Sequence, residues 1–325
     1  MTGDDGVAAL RADRLGKRYG RVWALRDCTF SVPAGSVVGL VGPNGAGKTT
    51  LLSLTVGLLA ASEGEIAVFG ERSRAYTADT LARVSYLAQD HPLYSGFTVA
   101  DMLHLGRSMN PRWDQALART RLGRLGIPLE RKIKTLSGGQ QAQISLTMAL
   151  AKRAPLLALD EPVASLDPIA RLEFMRDVMA ASADTGLTVI IASHVISELE
   201  RLCDWLLLLT AGRLQLAGPV DDLVAAHQVL TVPRATPDAE LPGTVISRTD
   251  SDRHSTVLTA ADLGQLAQGL RPGWQAEAVS FEQLLIAYLQ RPATALPVSE
   301  PADDHARPGG RPGGRPRSAR TGVTS

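Results

Sequence analysis

Apolar residues in this chain fall into runs of distinct rhythm. Ser36-Val37-Val38-Gly39-Leu40-Val41, Leu156–Leu159 and Thr188–Ala192 are continuous apolar stretches, the pattern of strands buried on both faces. Each leads through a polar turn into a helix-like segment, the first being Thr49 to Leu59. Repetition of strand, loop and helix predicts an α/β core with a mostly parallel sheet. Upstream, Trp23–Leu25 and Cys28–Val32 read as two strands closed by the turn signal Pro33-Ala34-Gly35. Between Gln89 and Leu136 the period becomes helical, over Val99–Met109, Trp113–Leu125 and Leu129–Thr135.

A second change comes at Ala226–His227. Strands near Val229–Val232, Val245–Ser247 and Thr256–Leu258, then helices Ala261–Gln268 and Phe281–Gln290, predict a small α+β unit over 229–291. Residues 1–9 read as a frayed start. From Pro292 to 325 the chain is Pro, Gly, Arg and Ser, with the repeat RPGGRPGGRPR, and has too little to bury to fold.

Composition refines this picture only slightly. At 325 residues, 45% hydrophobic and 21% charged, the chain can build a core without staples. The net charge of +1 excludes a strongly basic nucleic-acid binder or an acidic tail protein. Its positive part is local: in residues 301–325 Arg307, Arg311, Arg315, Arg317 and Arg320 face only Asp303 and Asp304. That tail is either a solvated extension or a weak ligand for acidic lipid or RNA. Cys28 and Cys203 are too few and too separated for a disulfide framework, and are expected to be reduced and buried. The apolar run Leu51 to Ala61 is far short of the roughly 20 residues that span a bilayer. The opening MTGDDGVAAL has no basic stretch of the kind that starts a signal peptide.

Two motifs carry chemistry. Residues 42–50 are Gly42-Pro43-Asn44-Gly45-Ala46-Gly47-Lys48-Thr49-Thr50, a fit to the phosphate-binding loop G-x-x-x-x-G-K-[ST]. Glycines let several backbone N–H groups face one anion, and the following helix adds its positive end. Lys48 is expected to reach the β- and γ-phosphates and the Thr49 hydroxyl to bind Mg²⁺. A buried strand before the loop and a helix after it are the context this motif requires. The second motif ends the apolar strand Leu156–Leu159 in Asp160-Glu161. Two acids at a buried strand end are costly without a positive partner. Asp160 suits Mg²⁺ through water, and Glu161 is placed to polarise water attacking a γ-phosphate.

With these motifs the chain resembles the nucleotide-binding domain of ABC ATPases, and Leu136-Ser137-Gly138-Gly139-Gln140 matches that family's LSGGQ signature unchanged. The resemblance covers about residues 11–220. It implies a P-loop NTPase fold, with an N-terminal antiparallel β subdomain and a helical signature-bearing lobe at about 90–136 within a nucleotide-binding domain of 10–226; the small C-terminal α+β domain and the disordered tail read above follow it. It also implies roles in ATP and Mg²⁺ binding. Tyr19 resembles the aromatic that stacks on adenine, and Gln89 the glutamine that meets Mg²⁺ and the attacking water. Ser165-Leu166-Asp167 resembles the loop that crosses to a partner subunit, and His194 the switch histidine at the γ-phosphate. Two departures stand out: Gln141-Ala142-Gln143 lacks the basic residue usual after the signature, and Val163-Ala164 precedes Ser165 where Thr-Ser or Thr-Asn is common.

The resemblance implies an ATPase in which the signature of one subunit completes the phosphate site of a second ATPase subunit. Such a subunit powers transport through an integral membrane permease, from the cytoplasmic face of the membrane. The permease is expected to dock near Gln89–Asp101, with Phe97 and Met102 lining a groove. A soluble ABC ATPase acting on ribosomes or DNA is the alternative. One set of motifs and no heptad run favour transport, so no nucleic acid is expected. Val279-Ser280-Phe281-Glu282-Gln283-Leu284-Leu285 resembles the accessory region of bacterial export-type subunits. A plain dimer-stabilising domain is an equal reading of that unit, and importers carry C-terminal domains too.

Overall fold

The computed structural model describes residues 8–73, 77–90, 92–164, 166–261 and 271–291. Ser165, the C-terminal stretch beyond 291 and all but the first residue of the expected helix Ala261–Gln268 lie outside them.

Among the described residues the strands form three sheets. The first is antiparallel, in the order β2-β1-β4-β5, from β1 (Ala8–Tyr19), β2 (Val22–Pro33), β4 (Glu63–Val68) and β5 (Glu71–Arg72). Strand β1 starts at Ala8, inside the stretch expected to fray, because Ala8 pairs with Pro33 and Ala9 is fully buried. The two short strands expected at 23–32 are one strand. The apparent break is a β-bulge: the register slips between Leu15–Cys28 and Lys17–Leu25, and Asp27 takes φ 52°.

The central sheet runs β10-β9-β3-β8-β7-β6, from β3 (Val37–Val41), β6 (Val84–Leu87), β7 (Leu156–Asp160), β8 (Thr188–Ser193), β9 (Trp205–Thr210) and β10 (Arg213–Pro219). Every pairing in it is parallel except β9 with β10. Every residue of β3, β7 and β8 is buried, as their continuous apolar sequences require. Helix α1 (Lys48–Thr55) lies between this sheet and the first, and Leu51, Leu52 and Leu54 join the two in one core with Leu10, Phe30, Leu40 and Leu207.

Of the next helices, α2 (Ala78–Arg83) leads into β6. The lobe is built from α3 (Val99–Met109), α4 (Gln115–Arg124) and α5 (Gly138–Ala151), closed on Val99, Leu103, Leu122, Ile133 and Ile144. Its packing therefore runs past residue 136 into α5. Residues 129–135 do not form the expected helix; only a short 3₁₀ turn, Ile133–Thr135, is present. The backbone before it turns at 129–131 and forms a bridge at Lys132, and its carbonyls accept the free N–H groups at the start of α3, Val99 to Arg131 and Ala100 to Leu129. Met102, expected to line a groove, is buried in the lobe core, while Tyr94 stacks on Phe97 at 5.0 Å and both are exposed.

The core is completed by α6 (Pro168–Thr185), α7 (Ile196–Leu199) and α8 (Val220–Ala225). The third sheet, antiparallel in the order β12-β13-β11-β14, comprises β11 (His227–Pro233), β12 (Thr244–Asp250), β13 (His254–Ala260) and β14 (Gln275–Ala278). Its companion helix α9 (Phe281–Gln290) opens with a Ser280–Gln283 capping box and packs on α7, α8 and β12. Both cysteines are free and buried; burial pushes the Cys28 thiol up to about 11 and that of Cys203 up to about 12.

One buried histidine fastens α9 to the core. His227 Nδ1–H donates to the Leu223 carbonyl at 2.6 Å, and Nε2 accepts from the Tyr288 hydroxyl at 2.8 Å. Burial lowers the His227 pKa below its ordinary 6.5. Protonation also destroys the Nε2 acceptor, so the unfolded chain binds that proton more readily than the fold. The His227 contribution to stability is therefore full above about pH 6.5 and is lost as pH falls below it, at up to about 1.4 kcal/mol per pH unit. Thermal melts between neutral and mildly acidic pH are expected to show this loss in the native chain and a shallower one in His227→Gln.

Candidate active site

Parallel register alone gathers the residues that the sequence marks as chemical. Val41 pairs with Ser193, Asp160 with Ala192, and Leu87 with Leu159. The carboxyl ends of β3, β8, β7 and β6 thus lie along one edge of the sheet, where α/β proteins place their ligand crevices. The segments that leave this edge carry Gly42–Gly47, His194, Glu161 and Gln89 respectively.

The loop after β3 wraps a small cavity of about 220 Å³, lined by residues 44–50, Ala24, Gln89, Asp160 and Glu161. Two of its glycines are sterically required. A Cβ on Gly42 would lie 2.4 Å from the Leu209 carbonyl oxygen. Gly47, the N-cap of α1, has φ 107°, and a Cβ there would meet the Ala24 oxygen at 2.6 Å. No side chain caps α1 and no acid sits in its first turn, so its N–H groups face the loop unopposed. Lys48 is buried and donates to the Gly42 carbonyl at 2.7 Å.

Glu161 stands at the far wall in a conformation that L-residues rarely adopt, with φ 49°. Its N–H donates to the Ala192 carbonyl at 2.9 Å, which ties the strained residue to β8. Its carboxylate lies between two cationic or hydrogen-bonding partners: Oε2 is 2.8 Å from His194 Nδ1 and Oε1 is 3.9 Å from Lys48 Nζ. The Glu161 side chain is only 12% exposed whereas His194 is 59% exposed, so His194 screens the carboxylate from the open side. Asp160 is buried and accepts from the Tyr86 hydroxyl at 3.2 Å; burial, then the Asp160 charge, pushes the Tyr86 phenol well up. Tyr86 thus stays a neutral donor, a contact that sequence reasoning missed because β6 gives no signal beyond its apolar pattern.

The donor set in this cavity is made of hard oxygens: the Thr49 hydroxyl, the Gln89 amide and the Asp160 carboxylate. That chemistry fits Mg²⁺ shared with phosphate oxygens rather than an all-protein cage. Among the described residues no group of three or more His, Cys, Asp or Glu assembles a metal site.

Other residues marked in the sequence stand apart. Tyr19 is half exposed, with the Lys17 ammonium 5.4 Å from its ring centroid, and does not line the cavity. Neither do Ser137, Gly138, Gly139 and Gln140, which form the start of α5. Their capping box is complete, Ser137 Oγ accepting from Gln140 N at 3.2 Å and Gln140 Oε1 from Ser137 N at 3.1 Å. Asp167 caps α6 through the Ile169 and Ala170 amides. A larger cleft of about 750 Å³ between α4, α5 and α6 contains none of the residues marked for chemistry.

The strain at Gly47 makes a direct test. Gly47→Ala is expected to weaken nucleotide binding at least roughly fivefold, since its backbone alone costs about 1–3 kcal/mol, and titration with a fluorescent ATP analogue measures this.

A family model described as ABC transporter matches residues 25–164. The chain is 31% identical to the phosphonates import ATP-binding protein PhnC of Maricaulis maris, over 67% of this chain and 91% of that protein. It is 34% identical to the molybdenum import ATP-binding protein ModC of Rhodobacter capsulatus, over 68% of this chain but 62% of the relative. The Nod factor export ATP-binding protein I of Rhizobium johnstonii is 35% identical over 61% of this chain and 65% of its own length. A solved ATP-binding subunit of an ABC transporter superposes with a TM-score of 0.60 at 27% identity, covering 66% of this chain and 91% of that one.

Proposed function

The chain belongs to the ATP-binding subunits of ABC transporters, ATPases that serve a separate membrane permease, and from that premise we propose that two such subunits close around two ATP molecules, each completing its neighbour's pocket. The observation that carries this reading is the Glu161 carboxylate held beside His194 and Lys48 at the wall of the phosphate-loop cavity. The signature residues lie outside that cavity on the same chain. Their exposed helix start, where the capping box engages the Ser137 and Gln140 N–H groups but not those of Gly138 and Gly139, has a positive dipole end suited to the γ-phosphate held by a second subunit.

The roles follow from position. Residues Gly42 to Thr50 hold the phosphates, with Lys48 neutralising charge at the β- and γ-positions. Thr49, Asp160 and Gln89 would hold Mg²⁺, which would supply charge neutralisation at the phosphate oxygens. Glu161 accepts the proton of the attacking water, and His194 orients that carboxylate and bonds the γ-phosphate. Tyr19 stacks on adenine. Closure requires ATP to favour the joined state over the separated one, and loss of the γ-phosphate removes that preference.

No helix of the described residues is long and apolar enough to cross a membrane. We take the permease, bound at the lobe around the exposed Tyr94–Phe97 pair, to hold the subunit on the cytoplasmic face. Nucleic acid is not part of this reading. The relatives serve both import and export; our reading of export rests on the resemblance of Val279–Leu285 to the accessory region of export-type subunits.

Glu161→Gln is expected to keep nucleotide affinity while slowing hydrolysis at least roughly a hundredfold, and Lys48→Ala to lose affinity itself. In light scattering with Mg-ATP, Glu161→Gln is expected to run as a dimer. A strictly monomeric Glu161→Gln under saturating ATP overturns the two-subunit reading. Co-purification from detergent-solubilised membranes identifies the permease.

A further inference from the structure

Outside the nucleotide cavity the strongest buried polar assembly is centred on Arg121. This residue of α4 is 8% exposed, and its guanidinium reaches three acceptors on two other helices. Nε donates to Thr147 Oγ1 at 3.1 Å, and Nη2 donates to Gln143 Oε1 at 2.6 Å and to Asp177 Oδ2 at 2.8 Å. Gln143 and Thr147 are buried on α5, and Asp177 is buried on α6. Arg124 adds a more exposed bond to Asp177 Oδ1 at 3.3 Å. Burial lowers the Arg121 pKa while Asp177 opposes that shift, and a guanidinium remains charged under such pressure.

Two of the three helices begin at functional segments. Helix α5 starts at the signature, and α6 starts just after the loop that leaves Glu161. The same two helices approach closely at their starts, where a Cβ on Gly139 would lie 3.3 Å from the Ala170 Cβ. A buried ion pair is a weak source of stability, because desolvation offsets most of its attraction. Its planar fork is directional, however, and fixes how the joined helices are rotated and how far each slides along the other. Apolar packing of Ile144 and Leu122 in the lobe core lacks that directionality.

We propose that Arg121 is a positioning residue for the signature: it locks α5 to α6 so that the Ser137 end of α5 is held at a fixed angle to the Glu161 loop. The positive charge that bonds the signature helix is thus supplied by a neighbouring helix, beside the uncharged Gln141-Ala142-Gln143. This inference rests on the two-subunit reading, since an aimed signature matters only if a second subunit receives it.

The test compares the full chain with Arg121→Met, Arg121→Lys and the double variant Arg121→Met with Asp177→Leu. The double variant removes both buried charges, so it keeps the fold where the single one leaves buried Asp177 with only the more exposed Arg124 as partner. Binding of a fluorescent ATP analogue to each is expected to match the native chain, because the network lies outside the phosphate cavity. Hydrolysis at saturating ATP is expected to fall at least roughly tenfold in Arg121→Met and in the double variant, with partial recovery in Arg121→Lys. Placed on Glu161→Gln, the double variant is expected to need at least roughly tenfold more ATP to dimerise. A double variant that melts near the native temperature and keeps native turnover and dimerisation overturns the proposal, as does an equal loss of nucleotide binding and turnover. Failure of Glu161→Gln alone to dimerise instead sinks the two-subunit reading, so the two failures are distinct.

Discussion

Parallel pairing of β3, β8, β7 and β6 is the constraint on which this molecule's chemistry depends. Four segments far apart in sequence end in step because their hydrogen-bond registers are aligned, Val41 beside Ser193 and Asp160 beside Ala192. A single slip in one strand would turn its alternate side chains to the other face and withdraw its terminal residue from the cavity. The burial of every position in β3, β7 and β8 makes such a slip expensive, since it would displace packed Val, Leu and Ile side chains on both faces. The sheet's apolar interior therefore sets where charged groups meet at its edge.

The protein holds charge in two contrasting ways. Around Glu161 the groups are strained and partly open: positive φ, one exposed imidazole and a lysine bonded to loop carbonyls. Such an arrangement can exchange partners when phosphate arrives. Around Arg121 the groups are buried and bonded to one another, with three acceptors on one guanidinium and only the Gln143 Nε2 left without a partner among them. The first cluster is built to rearrange and the second to hold still.

Much of this was legible in the residues themselves. Continuous apolar runs located β3, β7 and β8, and the spacing Gly42 to Thr49 located the loop, because both depend on local sequence. Helices α3 and α9 start at Thr98 and Ser280, whose capping boxes are likewise local. The errors arose where distant backbone decided the outcome. Residues 129–132 stay out of a helix because the start of α3 takes the Leu129 and Arg131 carbonyls, and Asp27 is a bulge because β1 pairs past it. Met102 faces the lobe interior for the same reason: the apolar stripe of α3 has α4 and α5 to cover it. The Tyr86–Asp160 and Arg121–Asp177 contacts join elements whose sequences hold no hint of each other. The strain at Glu161 was equally invisible, being set by the bond from its N–H to Ala192.

The neighbours of β3 also determine when the nucleotide pocket can come into being. Val37 pairs with Val189 on one side, and Val38 pairs with Trp205 on the other. The phosphate loop leaves the ribosome early, yet the strand that anchors it has no partner until β8 has been synthesised, and its second edge stays open until β9 follows. Through that interval an apolar strand with unpaired edges is exposed to water and to other chains, the situation in which nascent polypeptides aggregate or recruit chaperones. Nonlocal pairing of this kind folds slowly as well. Ribosomes stalled before residue 188 would therefore carry the complete loop sequence and be unable to retain nucleotide on it.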